Sequence, residues 1–368
     1  MRFNFTFFVK YGILYTVKEG DIMDLEQLYN YVSNELSNHK DTNIQYPIKG
    51  VLYDIRIIHA LKKENINIPF LIAIPKDNIS TVQIALESNN LETSDLNSIT
   101  KQACQTGKRL ANLTRNSPCP IVIPFIPSYK NGPYFQQLSR ECFELDEGDK
   151  DYRVDEQIIR MINYTKNVLK SDYNIQADEK IFLNGYSSSG VFAQRFALIH
   201  PELVETACIG GASGSIPVPS KEIGYPLGIS DYQQLFGKPF DKETYSKINF
   251  RYYVGELETI NTTQERFDDE GNPAPMHDMS YFDRSVPYQV GLQQRDIFGK
   301  DMFERAQNTI EYLESIGIKI NHTIIPGRSH NNVNELGDKF FSATYKEAVG
   351  KHLMKKAVSK PSMEDETR

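Results

Sequence analysis

Three consecutive serines, Ser187, Ser188 and Ser189, end an apolar stretch, KIFLNGYSSSG, that runs directly into a second one, VFAQRFALIHP. Where a strand turns sharply into a helix, the residue at the tip is held in a strained conformation, and a serine there presents its hydroxyl as a nucleophile above a parallel sheet. Strand and helix approach closely at such an elbow, so the residues two before and two after the tip must be small. With Ser187 at the tip these are Gly185 and Ser189. Ser188 would need Tyr186 two before it, and Ser189 would put the β-branched Val191 two after it. Ser187 is therefore the candidate nucleophile.

A serine hydroxyl is a poor nucleophile near neutral pH and needs an imidazole to take its proton and a carboxylate to orient that imidazole. Around an elbow serine the chain order is Ser, then acid, then His. Of the seven histidines, His39 and His59 precede the serine, His200 ends the helix that follows it, and His352 falls in the C-terminal helical segment. His277, His322 and His330 remain. His322 sits inside the strand-like IKINHTIIPG, where pairing locks it in a sheet, and His277 lies in a long polar loop. His330 follows that strand, in PGRSHNN, and can reach over the serine, which makes it the expected general base. The acid should sit just past the strand-like INFRYYV, where GELETIN offers Glu256 and Glu258. Glu258, beyond the tight part of the turn, is preferred, with Glu256 as the alternative and Asp268 and Asp269 further along.

The negative oxygen of a tetrahedral intermediate needs backbone N–H donors. One is expected from Ser188, at the positive end of its helix. The second should come from the loop after IVIPFIP, and since Pro127 has no amide hydrogen, Ile126 or Ser128 must supply it.

The surrounding pattern is built to carry such a site. VLYDIRIIHAL, IPFLIAIP, STVQIALES, IVIPFIP, KIFLNG, VETACIGGA, INFRYYVG and IKINHTIIPG read as strands. Between them, Leu91–Leu113, Asp155–Leu169 with Asp155 as N-cap, the segment after Ser187 that Pro201 ends, DMFERAQNTIEYLESIG and a closing segment around FFSATYKEAVGKHL read as helices. This alternation predicts an α/β fold with a mostly parallel central sheet and helices on both faces. Residues 1–48 are expected to form an N-terminal extension with one helix and a polar linker ending at Pro47, 49–354 the main domain, and 355–368 a disordered tail. Two long polar stretches, 213–246 and 259–300, follow predicted strands and are candidates for a cap or substrate wall.

With 48 acidic against 41 basic residues, a net charge of −7 and no basic block, no nucleic-acid partner is expected. The four scattered cysteines, Cys104, Cys119, Cys142 and Cys208, match neither a zinc site nor a disulfide scaffold and fit a reducing compartment. Lys10 and Gly12 interrupt the aromatic N-terminus before it reaches signal-peptide length, so a cytoplasmic location is expected, and Met23 is an alternative start. No apolar run is long enough for a membrane helix. Asp268, Asp269, His277, Asp278 and Asp283 cluster in sequence, but their spacing fits no standard ligand pattern; neither a metal nor an organic cofactor is expected.

On DYRVDEQI, FLNGYSSSGVFAQRFALIHPELV, GELETIN and PGRSH, roughly residues 65–350, the chain resembles the α/β-hydrolase superfamily, and within it esterases near the polyhydroxybutyrate depolymerases and feruloyl esterases. The resemblance implies an α/β-hydrolase fold and hydrolysis of a small-molecule carboxylic ester through an acyl-enzyme, with Ser187 as nucleophile, His330 as base and Glu258 as orienting acid. The chain departs from that pattern in carrying Glu where Asp is usual, in lacking a His-Gly after the third strand, and in having Ser189 for the second motif glycine. The same triad would serve a peptidase, thioesterase or acyltransferase, and a hydrolase-like binding protein without activity is the contrasting alternative.

Overall fold

The computed structural model describes residues 25–38, 42–76, 83–90, 93–129, 133–212, 216–258, 286, 288–299, 302–328 and 330–358. Among them lie nine strands: β1 (Thr42–Ile48), β2 (Val51–Ile58), β3 (Phe70–Pro75), β4 (Ala85–Leu86), β5 (Ile121–Pro124), β6 (Ile181–Tyr186), β7 (Val204–Gly210), β8 (Asn249–Gly255) and β9 (Ile320–Ile325). They form one sheet in the order β1-β2-β3-β5-β4-β6-β7-β8-β9. The pairs β1/β2, β2/β3 and β3/β5 are antiparallel, and every pair from β5/β4 to β8/β9 is parallel. β3 and β5 are buried at every position. A sheet covered on both faces removes the polar half of the usual alternation, so these strands read as unbroken apolar runs.

The helices are α1 (Leu25–Ser37), α2 (Leu96–Leu113), α3 (Val154–Tyr173), α4 (Ser188–Ile199), the short α5 (Tyr232–Phe236) and α6 (Lys242–Ser246), then α7 (Tyr288–Phe298), α8 (Met302–Ser315) and α9 (His330–Val358). Successive strand residues point to opposite faces, which sorts the helices between the two layers. On β3, Leu71 lies against Gly107 of α2, while its neighbour Phe70 meets Tyr164 of α3 edge-on at 5.9 Å. On β6, Phe182 packs edge-on against Phe341 and Tyr345 of α9, whereas Gly185, of opposite parity, lies under α4. Helices α2 and α9 therefore face one side of the sheet and α3 and α4 the other. This is an α/β-hydrolase fold, as the sequence led one to expect.

Three local expectations need correction. The residues assigned to a linker before Pro47 form β1, which pairs with β2 through a turn at Lys49 and Gly50, both with positive φ (49° and 86°). Tyr46 and Ile48 are buried while Gln45 and Pro47 are exposed, and proline is tolerated because β1 is an edge strand. Asp155 is not the cap of α3: Arg153 holds that position at φ 46°, and Asp155 turns inward into full burial. The last helix begins at His330 rather than near Phe340, and continues to Val358, past the expected start of the tail.

Of the stretch 213–246, residues 216–246 are described and contain α5 and α6, with Phe236 packed edge-on against Phe143 at 4.8 Å and Tyr225 at 5.3 Å. Most of 259–300 before α7, the N-terminal 24 residues with Met1 and Met23, and the tail after Val358 lie outside the described residues. All four cysteines are buried and none is in a disulfide. No described helix is long and apolar enough to cross a membrane.

Candidate active site

β6 delivers the chain to Ser187, and α4 leaves it immediately. Ser187 has φ 57° and ψ −123°, a conformation that a non-glycine residue adopts only under constraint. The constraint is visible: its N–H donates to the Gly210 carbonyl at the end of β7 (2.9 Å), and its own carbonyl accepts the Val191 N–H that opens α4 (2.9 Å). Ser189 ties the turn from inside, its Oγ accepting from the Tyr186 N–H at 2.9 Å and donating to the Tyr186 carbonyl at 3.0 Å. A Cβ on Gly185 would lie 2.1 Å from the Ser189 carbonyl oxygen, so the requirement for a small residue there is absolute. The half-exposed tip of this turn is Ser187.

His330 is the first residue of α9, and its Nε2 lies 3.1 Å from Ser187 Oγ. On the other side of the ring, Glu258 Oε2 is 3.6 Å from Nδ1. The Glu258 carboxylate is fully buried, and its second oxygen accepts the Gly255 N–H at 3.1 Å, which anchors it to the end of β8. Glu256 is exposed and turned away, accepting the Gly327 N–H at 2.8 Å. Two further bonds, Glu256 N–H to the Ile325 carbonyl (3.1 Å) and Leu257 N–H to the Arg328 carbonyl (2.9 Å), zip the turn after β8 to the turn after β9. Glu258 and His330 are thus positioned by adjoining turns. His322 stands in mid-strand on β9, exposed and opposite Tyr252. Asp268, Asp269, His277, Asp278 and Asp283 lie outside the described residues.

The first turn of α4 contains the Ser188 amide, in the region of unpaired N–H groups and positive dipole. Its hydroxyl accepts a hydrogen bond from the Gln137 side chain. The second expected oxyanion donor must be corrected, because both candidates already donate elsewhere. The Ile126 N–H bonds to Asn89 Oδ1 (2.9 Å), which Asn89 reciprocates through Nδ2 to the Ile126 carbonyl (2.9 Å), and the Ser128 N–H bonds to the Thr93 carbonyl (2.9 Å). The loop beside the elbow is instead the one after β4, because β4 lies between β5 and β6 in space though it precedes β5 in sequence. From that loop Asn90 Oδ1 accepts the Ser189 N–H at 2.6 Å. Neither Asn89 nor Asn90 belongs to a motif; their signal in the sequence is the polar run ESNN that directly follows the apolar IAL that includes β4.

Two polar networks brace the site from below. Arg109 of α2 donates to both oxygens of the buried Glu87 (2.6 and 2.7 Å) and to Asp338 of α9 (2.9 Å), and Asn184 of β6 donates to the same Glu87. Ser187 and His330 sit on elements that this network joins. Farther off, His200 at the end of α4 bonds through Nε2 to Asp155 at 2.8 Å, and Arg153 donates to both oxygens of Asp155. Burial opposes ionisation of Asp155, yet hydrogen bonds from Arg153 and His200 hold its carboxyl down to about 2. Burial likewise opposes protonation of His200, and the bonds to Asp155 and Glu202 outweigh it and raise its pKa. Among the described residues the group of donors close enough to hold a metal is Asp155, Glu156 and His200, within 4.8 Å of one another. The Arg153 guanidinium already occupies both carboxylates, so this cluster does not fit a cation.

No protein-family model matches the sequence, and no curated protein matches it either. Solved structures do resemble it. Poly(aspartic acid) hydrolase-1 from Sphingomonas sp. KT-1 is 12 % identical over 82 % of this chain and 96 % of that one, with a TM-score of 0.48. A poly(3-hydroxybutyrate) depolymerase from Bordetella parapertussis is 12 % identical over 87 % of this chain and 94 % of that one, with a TM-score of 0.49. An S-formylglutathione hydrolase from Agrobacterium tumefaciens is 12 % identical over 83 % and 98 %, with a TM-score of 0.40. At such identity and overlap these likenesses say nothing of chemistry, and strand order and the strained Ser187 turn are what define the chain as one with an α/β-hydrolase fold.

Proposed function

We propose that the protein is a serine hydrolase that cleaves a carboxylic ester through an acyl-enzyme. The observation that carries this reading is the line of three groups: Ser187 Oγ 3.1 Å from His330 Nε2, and the buried Glu258 carboxylate 3.6 Å from His330 Nδ1. In the first half-reaction His330 takes the Ser187 proton as Oγ attacks the ester carbonyl, then returns it to the leaving alcohol oxygen as the C–O bond breaks. In the second, water replaces the alcohol and the same proton path restores the serine. Glu258 keeps the imidazole in the tautomer with Nε2 facing the serine and offsets the imidazolium charge, while the Ser188 amide serves the oxyanion. The substrate is a small-molecule ester, met between the loops that follow β4, β6 and β8.

A fluorophosphonate probe tests the reading directly. Wild-type protein should be labelled stoichiometrically and Ser187→Ala not at all, with ester turnover falling on the order of 10⁴-fold or more. Labelling that persists in Ser187→Ala, or a wild type inert to both probe and ester, would overturn it.

A further inference from the structure

Next to the serine, Tyr186 is bound to the histidine in two ways. Its ring stacks on the His330 imidazole, with centroids 5.3 Å apart and planes 28° from parallel, and its hydroxyl donates to the His330 backbone carbonyl. Behind it Tyr253 forms a third layer, 6.2 Å from Tyr186 and 22° from parallel. Tyr186 cannot drift from this place, because its own backbone is fastened by Ser189 within the elbow.

The glycine pair at the end of VETACIGGA clears the room for the stack. A Cβ on Gly210 would lie 1.9 Å from the Tyr253 ring. One on Gly211, which has φ 59°, would lie 2.9 Å from the Tyr186 ring and 3.0 Å from His330 Cε1. Any side chain at either position would push the three rings apart. Neither the elbow nor the fold needs three stacked rings, but a histidine that must gain a charge during the reaction benefits from them.

We propose that Tyr186 is a positioning residue for His330: its ring holds the imidazole in the plane that serves Ser187, and its π-face stabilises the imidazolium formed when the serine proton arrives. This rests on the reading of Ser187 and His330 as nucleophile and base. An aromatic face attracts a cation more strongly than a neutral ring. The stack therefore strengthens as the proton passes from Oγ to Nε2, and an interaction that is stronger in the transition state than in the ground state raises kcat rather than lowering KM. Tyr186 itself exchanges no proton; burial, aided by the nearby Glu258 carboxylate, pushes its phenol pKa up, so the hydroxyl remains a donor.

Three variants separate ring from hydroxyl in the full-length protein, assayed by ester turnover and fluorophosphonate labelling rate. Tyr186→Leu removes both, Tyr186→Phe keeps the ring, and Tyr186→Gln keeps a polar side chain with a shorter-reaching donor and no ring. The Leu and Gln variants should lose about 5- to 30-fold in kcat and in labelling rate with KM unchanged, and Phe should stay within about threefold of wild type. If Leu fails to fold, Gln carries the same comparison. Wild-type kcat in Leu or Gln, a loss confined to KM, or a Phe variant as slow as Gln would overturn the proposal. Each of these leaves the triad intact provided Ser187→Ala is dead in the same assays; turnover that survives Ser187→Ala instead removes the triad reading itself.

Discussion

Glu256 and Glu258 stand on the same turn, and only their surroundings distinguish them. Gly255 N–H and full burial hold Glu258 against the imidazole, whereas Glu256 faces solvent and closes a bond to the Gly327 N–H. Glu258→Gln should therefore lower kcat for p-nitrophenyl acetate by about 10²–10⁴-fold, since an amide can present the wrong partner to Nδ1. Glu256→Gln should change it by less than about threefold, as expected for an exposed side chain. The reverse ranking would make Glu256 the orienting acid. His330 carries a related lesson: its reach comes from being the first residue of α9, where the chain direction is set by a helix rather than by a mobile loop.

β6, Ser187 and α4 act as one unit, and the unit works only if strand and helix nearly touch. Gly185 marks the closest approach, with the Ser189 carbonyl oxygen 2.1 Å from where a Cβ would stand. Gly185→Ala should open the elbow, abolish fluorophosphonate labelling and cost about 1–3 kcal/mol in urea denaturation. Gly148→Ala, where a Cβ would meet nothing within 4 Å, is the matched control and should change neither. An active, labelled Gly185→Ala would show that the elbow tolerates a wider turn than this geometry allows. The strand β4 makes the complementary point. Only Ala85 and Leu86 pair in it, yet its place between β5 and β6 is what brings Asn90 to Ser189.

Charged pairs tie neighbouring helices within each layer: Arg109 joins α2 to α9 on one side of the sheet, and the His200–Asp155 pair joins the end of α4 to the start of α3 on the other. Its contribution to stability follows from the raised His200 pKa. A group whose pKa is higher in the folded state contributes fully below its unfolded value, near pH 6.5, and the contribution is lost as pH rises through the folded value. The stability difference between wild type and His200→Gln in urea should thus be larger at pH 6 than at pH 9. A difference that is constant or grows across that range would mean that His200 is buried neutral. At acid pH the sign reverses for Asp155, whose depressed pKa contributes above the ordinary carboxylate range and fades as pH falls toward about 2.

Much of this protein is legible in local patterns. Apolar runs broken by Pro, Gly and Asn mark most of the strands because both sheet faces are covered, and small residues flanking Ser187 mark the elbow because sterics at plus and minus two act within a span of four residues. The order of Ser187, Glu258 and His330 is likewise written along the chain. What only the tertiary structure decides is adjacency between segments. The inverted placement of β4 and β5 moves the elbow's neighbour from Ile126 and Ser128 to Asn89 and Asn90, and edge position turns a proline-bearing linker into β1. The inward turn of Asp155 answers to His200, 45 residues away, and the stacking of Tyr186 on His330 spans 144. Such pairings depend on how a sheet is ordered, and no local period or spacing encodes that order.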